Sequence, residues 1–258
     1  MSQETPSLEA RKLELAGRLD GVSAALQPAT ITAICGPNGA GKSSLIEALA
    51  GLLGPDEGEV LLDAAPLASL HTRERARRIG YLPQHGEVAW NLSVRSLAAL
   101  GRLPHGDAAA EPVECALAAL DLAALAGRPV ATLSGGERAR ALLARVLAGE
   151  PRWILADEPL AALDLAHQLA LLAHLRRAAD GGAGVVLVLH DLALAMNHAD
   201  RVLVLDQGGL AADGVPEAAL SEETIARVWG VPARWLGERG ARALVCAGEG
   251  RRPSSNSD

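Results

Sequence analysis

The chain of 258 residues carries 24 Lys and Arg against 31 Asp and Glu, which gives a formal net charge of −7 and a pI of about 5.5. This balance excludes a nucleic-acid binder that works by bulk positive charge, because neutralising phosphates requires a basic face. Three widely spaced cysteines make neither a disulfide framework nor a zinc site, which favours a reducing compartment. No run reaches the roughly 18 apolar residues of a membrane span, so any membrane association is expected to be peripheral.

Apolar, β-rich runs alternate with helical patterns along most of the chain. Strands are predicted at Thr30–Cys35, Glu59–Leu62, Ile79–Leu82, Trp153–Ala156, Gly184–Leu189 and Arg201–Asp206. Helices are predicted at Ser44–Leu53, His71–Arg78 and Asp164–Ala179, and the Ala/Leu-rich stretch Leu92–Leu147 indicates a helical insertion. This alternation predicts an α/β fold with a parallel sheet covered on both faces. Residues 247–258, rich in Gly, Ser and Arg, are expected to be disordered.

A glycine-rich loop follows the first strong strand and fits the pattern G-x-x-x-x-G-K-[ST] at every fixed position. The loop and the residue after it are Gly36, Pro37, Asn38, Gly39, Ala40, Gly41, Lys42, Ser43 and Ser44. Such glycines let backbone N–H groups curl around phosphate oxygens, while the following helix N-terminus adds its positive end. The lysine reaches the β- and γ-phosphates and the first serine holds Mg²⁺. The chain has only two lysines, and the loop contains one, so a nucleoside triphosphate site is expected here.

Two adjacent carboxylates, Asp157 and Glu158, end the apolar strand that begins at Trp153. Ligands bind at the carboxyl ends of parallel strands, where one acid can hold Mg²⁺ through water and the next can polarise an attacking water. The local alternative is an aspartate that caps a helix beside a solvated glutamate. The intact phosphate loop favours the functional interpretation.

The sequence Leu133-Ser134-Gly135-Gly136-Glu137 opens a helical stretch. Ser134 is a good N-cap and Glu137 follows three residues later, as in a capping box. The motif can therefore be explained as a capped helix N-terminus with no further function. Two consecutive glycines are costly, however, unless the backbone must approach something closely. The motif is therefore also a candidate second anion site.

At this point the sequence resembles the ATP-binding-cassette (ABC) ATPases, whose signature is LSGGQ or LSGGE. Tyr81-Leu82-Pro83-Gln84 resembles the family's Q-loop, Ala161–Asp164 its D-loop, and Val188–Asp191 its switch region with His190. The resemblance implies a P-loop NTPase (RecA-like) fold with a mostly parallel sheet, an antiparallel β edge and a helical insertion subdomain. It implies one ATPase domain over 1–246, with the core at 1–85 and 150–215, the helical subdomain at about 86–149 and a C-terminal extension at 216–246.

The resemblance also implies a mechanism, in which two copies pack head to tail and ATP lies between one phosphate loop and the partner's signature. Catalysis is implied for Glu158 as general base, His190 at the γ-phosphate and Gln84 as the Mg²⁺ sensor. Mg²⁺ is implied at Ser43, Gln84 and, through water, Asp157. The residues implied to act on the partner's ATP are Ser134, Gly135, Gly136, Glu137 and Asp164.

The implied partners are two membrane-spanning permease subunits and, indirectly, a periplasmic or extracellular substrate-binding protein, with the chain peripheral at the cytoplasmic face of the membrane. No nucleic-acid partner is expected. The stretches Val88–Val94, Leu100–His105 and Val231–Leu236 resemble the subgroup that serves iron-siderophore, haem and cobalamin import. Trp90 and Pro104 in the first two stretches are alternatively explained as packing of the helical insertion.

The sequence departs from the family pattern in two places. Residues 1–35 contain no aromatic side chain to stack on adenine, so the base is expected to rest on aliphatic groups or arginine. At the D-loop position where the family usually has serine, this chain has Ala161.

Three alternative functions remain open: a soluble ABC ATPase of iron–sulfur assembly, an importer ATPase for another cargo, and an ATP-binding clamp without hydrolysis. A small-molecule kinase is disfavoured because it needs no Leu133–Glu137 motif.

Overall fold

The computed structural model describes residues 7–84, 92–161 and 163–246. The strands are β1 (Leu8–Leu15), β2 (Leu19–Leu26), β3 (Ile31–Cys35), β4 (Glu57–Leu62), β5 (Ala65–Pro66), β6 (Ile79–Leu82), β7 (Trp153–Asp157), β8 (Gly184–Val188), β9 (Arg201–Asp206), β10 (Gly209–Gly214), β11 (Ala233–Leu236) and β12 (Ala243–Cys246). The α-helices are α1 (Lys42–Leu49), α2 (Thr72–Arg78), α3 (Val94–Ala99), α4 (Ala110–Ala119), α5 (Gly135–Ala148), α6 (Leu165–Asp180), α7 (Leu192–His198), α8 (Pro216–Ala219) and α9 (Glu222–Trp229).

The main sheet has the strand order β10-β9-β3-β8-β7-β6. Every neighbouring pair is parallel except β9 and β10, which form an antiparallel hairpin at one edge. The parallel strands β3, β7 and β8 are buried along their whole length, as expected for a sheet covered on both faces. The predicted α/β fold class is confirmed.

A separate antiparallel sheet has the order β2-β1-β4-β5, and β11 pairs with β12 in a C-terminal hairpin. The hairpin of β1 and β2 was not among the predicted strands. Its sequence mixes charged residues with Ala and Leu, and the pairing of β1 with β2 is irregular between Ala10 and Leu13. These residues therefore form strands because they pair with neighbouring strands, and not because they are rich in β-branched side chains.

The apolar core lies on the two faces of the main sheet. Along β3, Ala33 and Cys35 face a cluster that includes buried side chains of α5 and α6, whereas Ile34 faces a cluster formed with α1 and the antiparallel sheet. Successive strand residues point to opposite faces, so one short apolar run serves both layers. The packing fixes β3, and with it the loop that follows.

The stretch predicted as a helical insertion contains α3, α4 and α5, and both shorter helices pack against α5. Predicted helix Ser44–Leu53 corresponds to α1, which ends earlier, because Gly51 adopts a left-handed φ of 67° just after the helix. The predicted tail at 247–258 and residues 88–91 of the Val88–Val94 stretch lie outside the described residues. No helix in the described part of the chain is long and apolar enough to span a membrane.

Candidate nucleotide site

The strand order brings four predicted site segments to one edge of the sheet. Strands β3, β8, β7 and β6 are consecutive neighbours and run parallel, so their carboxyl ends lie side by side. The phosphate loop follows β3, His190 follows β8, Glu158 follows β7 and Gln84 follows β6. Segments separated by up to 154 positions in the sequence, from Gly36 to His190, thus form one continuous rim.

The phosphate loop runs directly into α1, whose N-cap is Gly41 with a left-handed φ of 96°. A Cβ atom at Gly41 would lie 2.3 Å from the carbonyl oxygen of Arg18, in the turn between β1 and β2. Only glycine satisfies both the backbone conformation and this close approach. The antiparallel hairpin therefore closes one side of the phosphate loop.

The side chain of Lys42 is buried within the loop. Its Nζ donates hydrogen bonds to the carbonyl oxygens of Gly36, at 2.9 Å, and of Pro37, at 2.8 Å. Burial lowers the pKa of Lys42, and the charge of Glu158 opposes that shift. The ammonium group is held inside the loop that would surround a phosphate.

A cavity of about 360 Å³ opens over the loop. It is lined by Gly17, Arg18, Asn38, Gly39, Gly41, Lys42, Ser43, Ser44, Glu158 and His190. Gly17 and Arg18 are the two lining residues that the sequence did not assign by number, because only the pairing of β1 with β2 brings their turn to the cavity. Arg18 is therefore an arginine of residues 1–35 that the fold brings to the cavity.

Asp157 is 4% exposed and ends β7 below the loop. Burial raises the pKa of its carboxyl group, and a hydrogen bond from Ser43 opposes the shift. Its Oδ1 is buried and has no hydrogen-bond partner among the described residues. A hydroxyl beside a partly unsatisfied carboxylate is an oxygen donor set that suits Mg²⁺. Within the described ranges, no cluster of three or more His, Cys, Asp or Glu could hold a metal ion.

Glu158 lies at the centre of the predicted catalytic residues. Gln84 Nε2 donates to its Oε2 at 2.5 Å, and His190 Nε2 bonds to its Oε1. The contact requires the His190 tautomer that carries its proton on Nε2, because an ionised carboxylate can only accept. Glu158 also has a φ of 47°, a strained conformation for a residue other than glycine. The structure therefore brings together Gln84, Glu158 and His190.

The signature residues lie at the start of α5, outside the lining of this cavity. Ser134 caps the helix, accepting from the N–H of Glu137 at 3.3 Å, while Glu137 Oε2 accepts from the N–H of Ser134 at 2.8 Å. Hydrogen bonds from the backbone and side chain of Ser134 lower the pKa of Glu137. The capping box is therefore present at a helix N-terminus where Ser134 and Gly135 are exposed and Gly136 is buried.

Asp164 caps α6 in the same way and also lies outside the cavity lining. Its Oδ1 accepts from the N–H of His167 at 2.9 Å, and hydrogen bonds from His167 lower its pKa. Ala161 is exposed, and residue 162 of the predicted D-loop lies outside the described residues.

A larger cavity of about 590 Å³ lies elsewhere, near the amino ends of β3 and β9. Its charged side chains pair with one another, Arg176 with Asp200 at 2.6 Å and Arg239 with Glu217 at 3.7 Å. It contains none of the phosphate-loop or acidic residues that define the smaller cavity. The chemistry is concentrated at the carboxyl edge of the sheet.

A phosphate loop on a mostly parallel sheet, with an acid pair at the end of the next strand but one, defines a P-loop ATPase. The family model for the ABC transporter matches residues 19–161. Among curated proteins, the chain is 43% identical to a hemin import ATP-binding protein, HmuV, of Myxococcus xanthus, over 96% of this chain and 98% of that protein. It is 47% identical to HmuV of Nocardia farcinica, over 84% of this chain and 77% of that protein.

Solved structures agree with the sequence matches. One described as an inward-facing metal-chelate type ABC transporter has a TM-score of 0.81 and 26% identity, covering 95% of this chain and 98% of that one. The cbiO1 subunit of Clostridium perfringens, part of the cbiONQ transporter complex, has a TM-score of 0.76 and 26% identity, covering 87% and 94%. The chain belongs to the ABC transporter family and is an ATP-binding, ATP-hydrolysing subunit of that family.

Proposed function

We propose that the chain powers import of haem or a related iron-siderophore or cobalamin-type substrate through separate membrane subunits. The observation that carries the choice of cargo is the 40–47% identity to HmuV hemin import ATP-binding proteins. The structural likeness to a metal-chelate type transporter supports the same class.

The proposed assembly contains two copies of this chain and two membrane-spanning permease subunits, with a periplasmic or extracellular binding protein that delivers the cargo. The chain lies at the cytoplasmic face as a peripheral subunit. Within it, residues 1–246 form one ATPase domain, in which the helical subdomain at about 86–149 interrupts the core at 1–85 and 150–215 and an extension follows at 216–246.

In the proposed mechanism the phosphate loop, Gly36–Ser44, surrounds the β- and γ-phosphates with backbone N–H groups, and Lys42 supplies the positive charge. Ser43, Gln84 and, through water, Asp157 would hold Mg²⁺. When bound, the ion would supply positive charge that neutralises charge developing on the phosphate oxygens. The unsatisfied Oδ1 of Asp157 supports this assignment.

Glu158 acts as general base: it takes a proton from the attacking water while the water oxygen bonds to the γ-phosphorus and ADP leaves with the electrons of the broken P–O bond. In the structure both of its oxygens are engaged, by Gln84 and His190. We infer that one of these contacts opens before hydrolysis. His190 is suited to that exchange, since the same Nε2–H can donate to the γ-phosphate instead.

The other half of the site comes from the second copy. The Ser134–Glu137 segment presents the exposed N-terminus of α5 to the γ-phosphate, and Asp164 lies beside it. Both segments lie outside the cavity lining of their own chain, which supports a role on the partner's nucleotide. ATP then joins the two copies and hydrolysis releases them.

The test is transport in proteoliposomes that contain the chain co-purified with its membrane partners, with the binding protein outside and Mg-ATP on the side of this subunit. We expect ATP-dependent uptake of haemin in preference to a ferric siderophore or cobalamin, and no uptake with Glu158→Gln. Preferential uptake of another cargo would overturn the haem assignment. Co-purification with soluble iron–sulfur scaffold proteins, in place of integral membrane subunits, would overturn the importer assignment.

A further inference from the structure

The second glycine of the signature is covered by a side chain from a different helix. A Cβ atom placed on Gly136 would lie 2.2 Å from Cδ2 of His167 and 2.6 Å from its Cγ. The imidazole ring therefore lies directly against the backbone of Gly136 in α5, although His167 belongs to the first turn of α6. Gly136 is buried, and no larger residue fits beside this ring.

The same ring is fixed on its other side by the D-loop. His167 Nδ1 bonds to Oδ1 of Asp164 at 2.6 Å, and the backbone N–H of His167 donates to the same oxygen at 2.9 Å. The next residue, Gln168, donates from Nε2 to the carbonyl oxygen of Leu160 at 3.1 Å. The first turn of α6 thus holds the chain at both ends of the D-loop.

We propose that His167 is a positioning residue that joins the signature motif to the D-loop, so that both meet the partner's ATP as one unit. The inference rests on the proposed pairing of two copies, because both segments act there on the partner's nucleotide. The signature belongs to α5 and the D-loop precedes α6, so without a link each can shift alone. His167 does not line the nucleotide cavity and is not a catalytic residue.

The two contacts of His167 require different properties of its ring. The contact with Gly136 needs a flat group that permits close approach, whereas the contact with Asp164 needs a ring nitrogen. Phenylalanine at 167 supplies the flat surface without the hydrogen bond, and asparagine supplies a polar group without the full ring. Alanine supplies neither, so His167→Ala should separate the two segments.

We expect His167→Ala to lower kcat for ATP about 10-fold to 100-fold, since small misplacements of groups that contact the reacting atoms cost this much. The affinity of the isolated chain for ATP should stay within about twofold, because the phosphate loop is untouched. His167→Phe and His167→Asn should each recover part of the lost kcat. Leu169→Ala, an exposed position on the same helix, is the matched control and should retain wild-type kcat.

A double-mutant cycle tests the contact itself. Gly136→Ala should lower kcat through its clash with the His167 ring, and adding His167→Ala should restore part of that loss. Strongly non-additive effects are expected for residues in direct contact. Additive losses, or a wild-type kcat for His167→Ala, would overturn the proposal. Thermal unfolding of each variant shows whether a loss of kcat results from misfolding. If His167→Ala is misfolded, the His167→Phe and His167→Asn variants test the proposal in its place.

Failure of the proposal and failure of the pairing give different results. If the Glu158→Gln protein does not dimerise with Mg-ATP, the pairing fails and the His167 proposal fails with it. If that protein dimerises and His167→Ala still has wild-type kcat, the His167 proposal alone is wrong. Weaker ATP-dependent dimerisation of the Glu158→Gln/His167→Ala double variant is the supporting result.

Discussion

The ammonium group of Lys42 has two backbone carbonyls as hydrogen-bond acceptors and lies at the floor of the nucleotide cavity. Lys42→Ala should therefore abolish measurable ATP binding in equilibrium titration. Lys12→Ala is a matched control, since Lys12 is the other lysine of the chain and is exposed on β1. Unchanged ATP affinity in Lys42→Ala would contradict the assignment of the loop.

Glu158 is the one carboxylate that contacts both Gln84 and His190 among the described residues. Glu158→Gln should preserve ATP affinity and lower the hydrolysis rate by at least about 100-fold, the usual contribution of a general base. Glu47→Gln removes a neighbouring carboxylate of α1 and should leave turnover near wild type. Phosphate release at saturating ATP measures both, and normal turnover in Glu158→Gln would show that the base is elsewhere.

Asp157 gives a pH-dependent prediction. Because burial raises its pKa in the folded state, its charged form opposes folding above that pKa, and the cost disappears as pH falls below it. Asp157→Asn should therefore raise the free energy of unfolding near pH 7 by about 1 kcal/mol in EDTA, with the gain fading in acid. Urea unfolding at several pH values measures this. A loss of stability near pH 7, or a gain that is independent of pH, would contradict the account.

At the scale of elements, the turn between β1 and β2 contributes to the lining of the nucleotide cavity. Arg18 of this turn is exposed and lines the cavity, so its planar guanidinium can stack on a nucleobase. An exposed contact of this type contributes about 0.5–1 kcal/mol, so Arg18→Ala should raise the Kd for ATP about twofold to fivefold.

Binding of inorganic triphosphate distinguishes a contact of Arg18 with the nucleobase from a contact of Arg18 with the phosphates. Its affinity should not change in Arg18→Ala, because it has no base. Arg11→Ala, on the same hairpin and exposed, is the control. An ATP affinity equal to wild type, or an equal loss for ATP and triphosphate, would exclude stacking by Arg18.

The sequence predicted those elements whose local pattern is strong. The glycine-rich loop after β3 and the apolar run at β7 predicted the phosphate loop and the acid pair, whereas His190 after β8 was predicted from the resemblance to the family's switch region. The sequence could not predict that Glu158 contacts Gln84 and His190 at once, because that depends on β6, β7 and β8 being neighbours. The contact of His167 with Gly136 and the position of Arg18 were likewise inaccessible, since both join elements that are distant in the sequence.

At the scale of the whole molecule, the burial of the main sheet predicts how the three thiols react. Cys35 is buried at the end of β3, and burial raises its pKa to about 12, whereas Cys115 and Cys246 are exposed. A thiol reagent near pH 8 should modify Cys115 and Cys246 in the native protein and reach Cys35 only after unfolding. Rapid modification of Cys35 in the native protein would show that the layer over β3 is more open than described.

The central claim is that two copies of the chain close on ATP, and the most direct test is the solution mass of Glu158→Gln with and without Mg-ATP. The account predicts a change from 26.6 kDa to twice that mass when Mg-ATP is added. Adding the Ser134→Ala substitution should weaken this dimer, while Lys42→Ala should prevent it. A Glu158→Gln protein that binds Mg-ATP and keeps the mass of a single chain at every concentration tested would contradict the account.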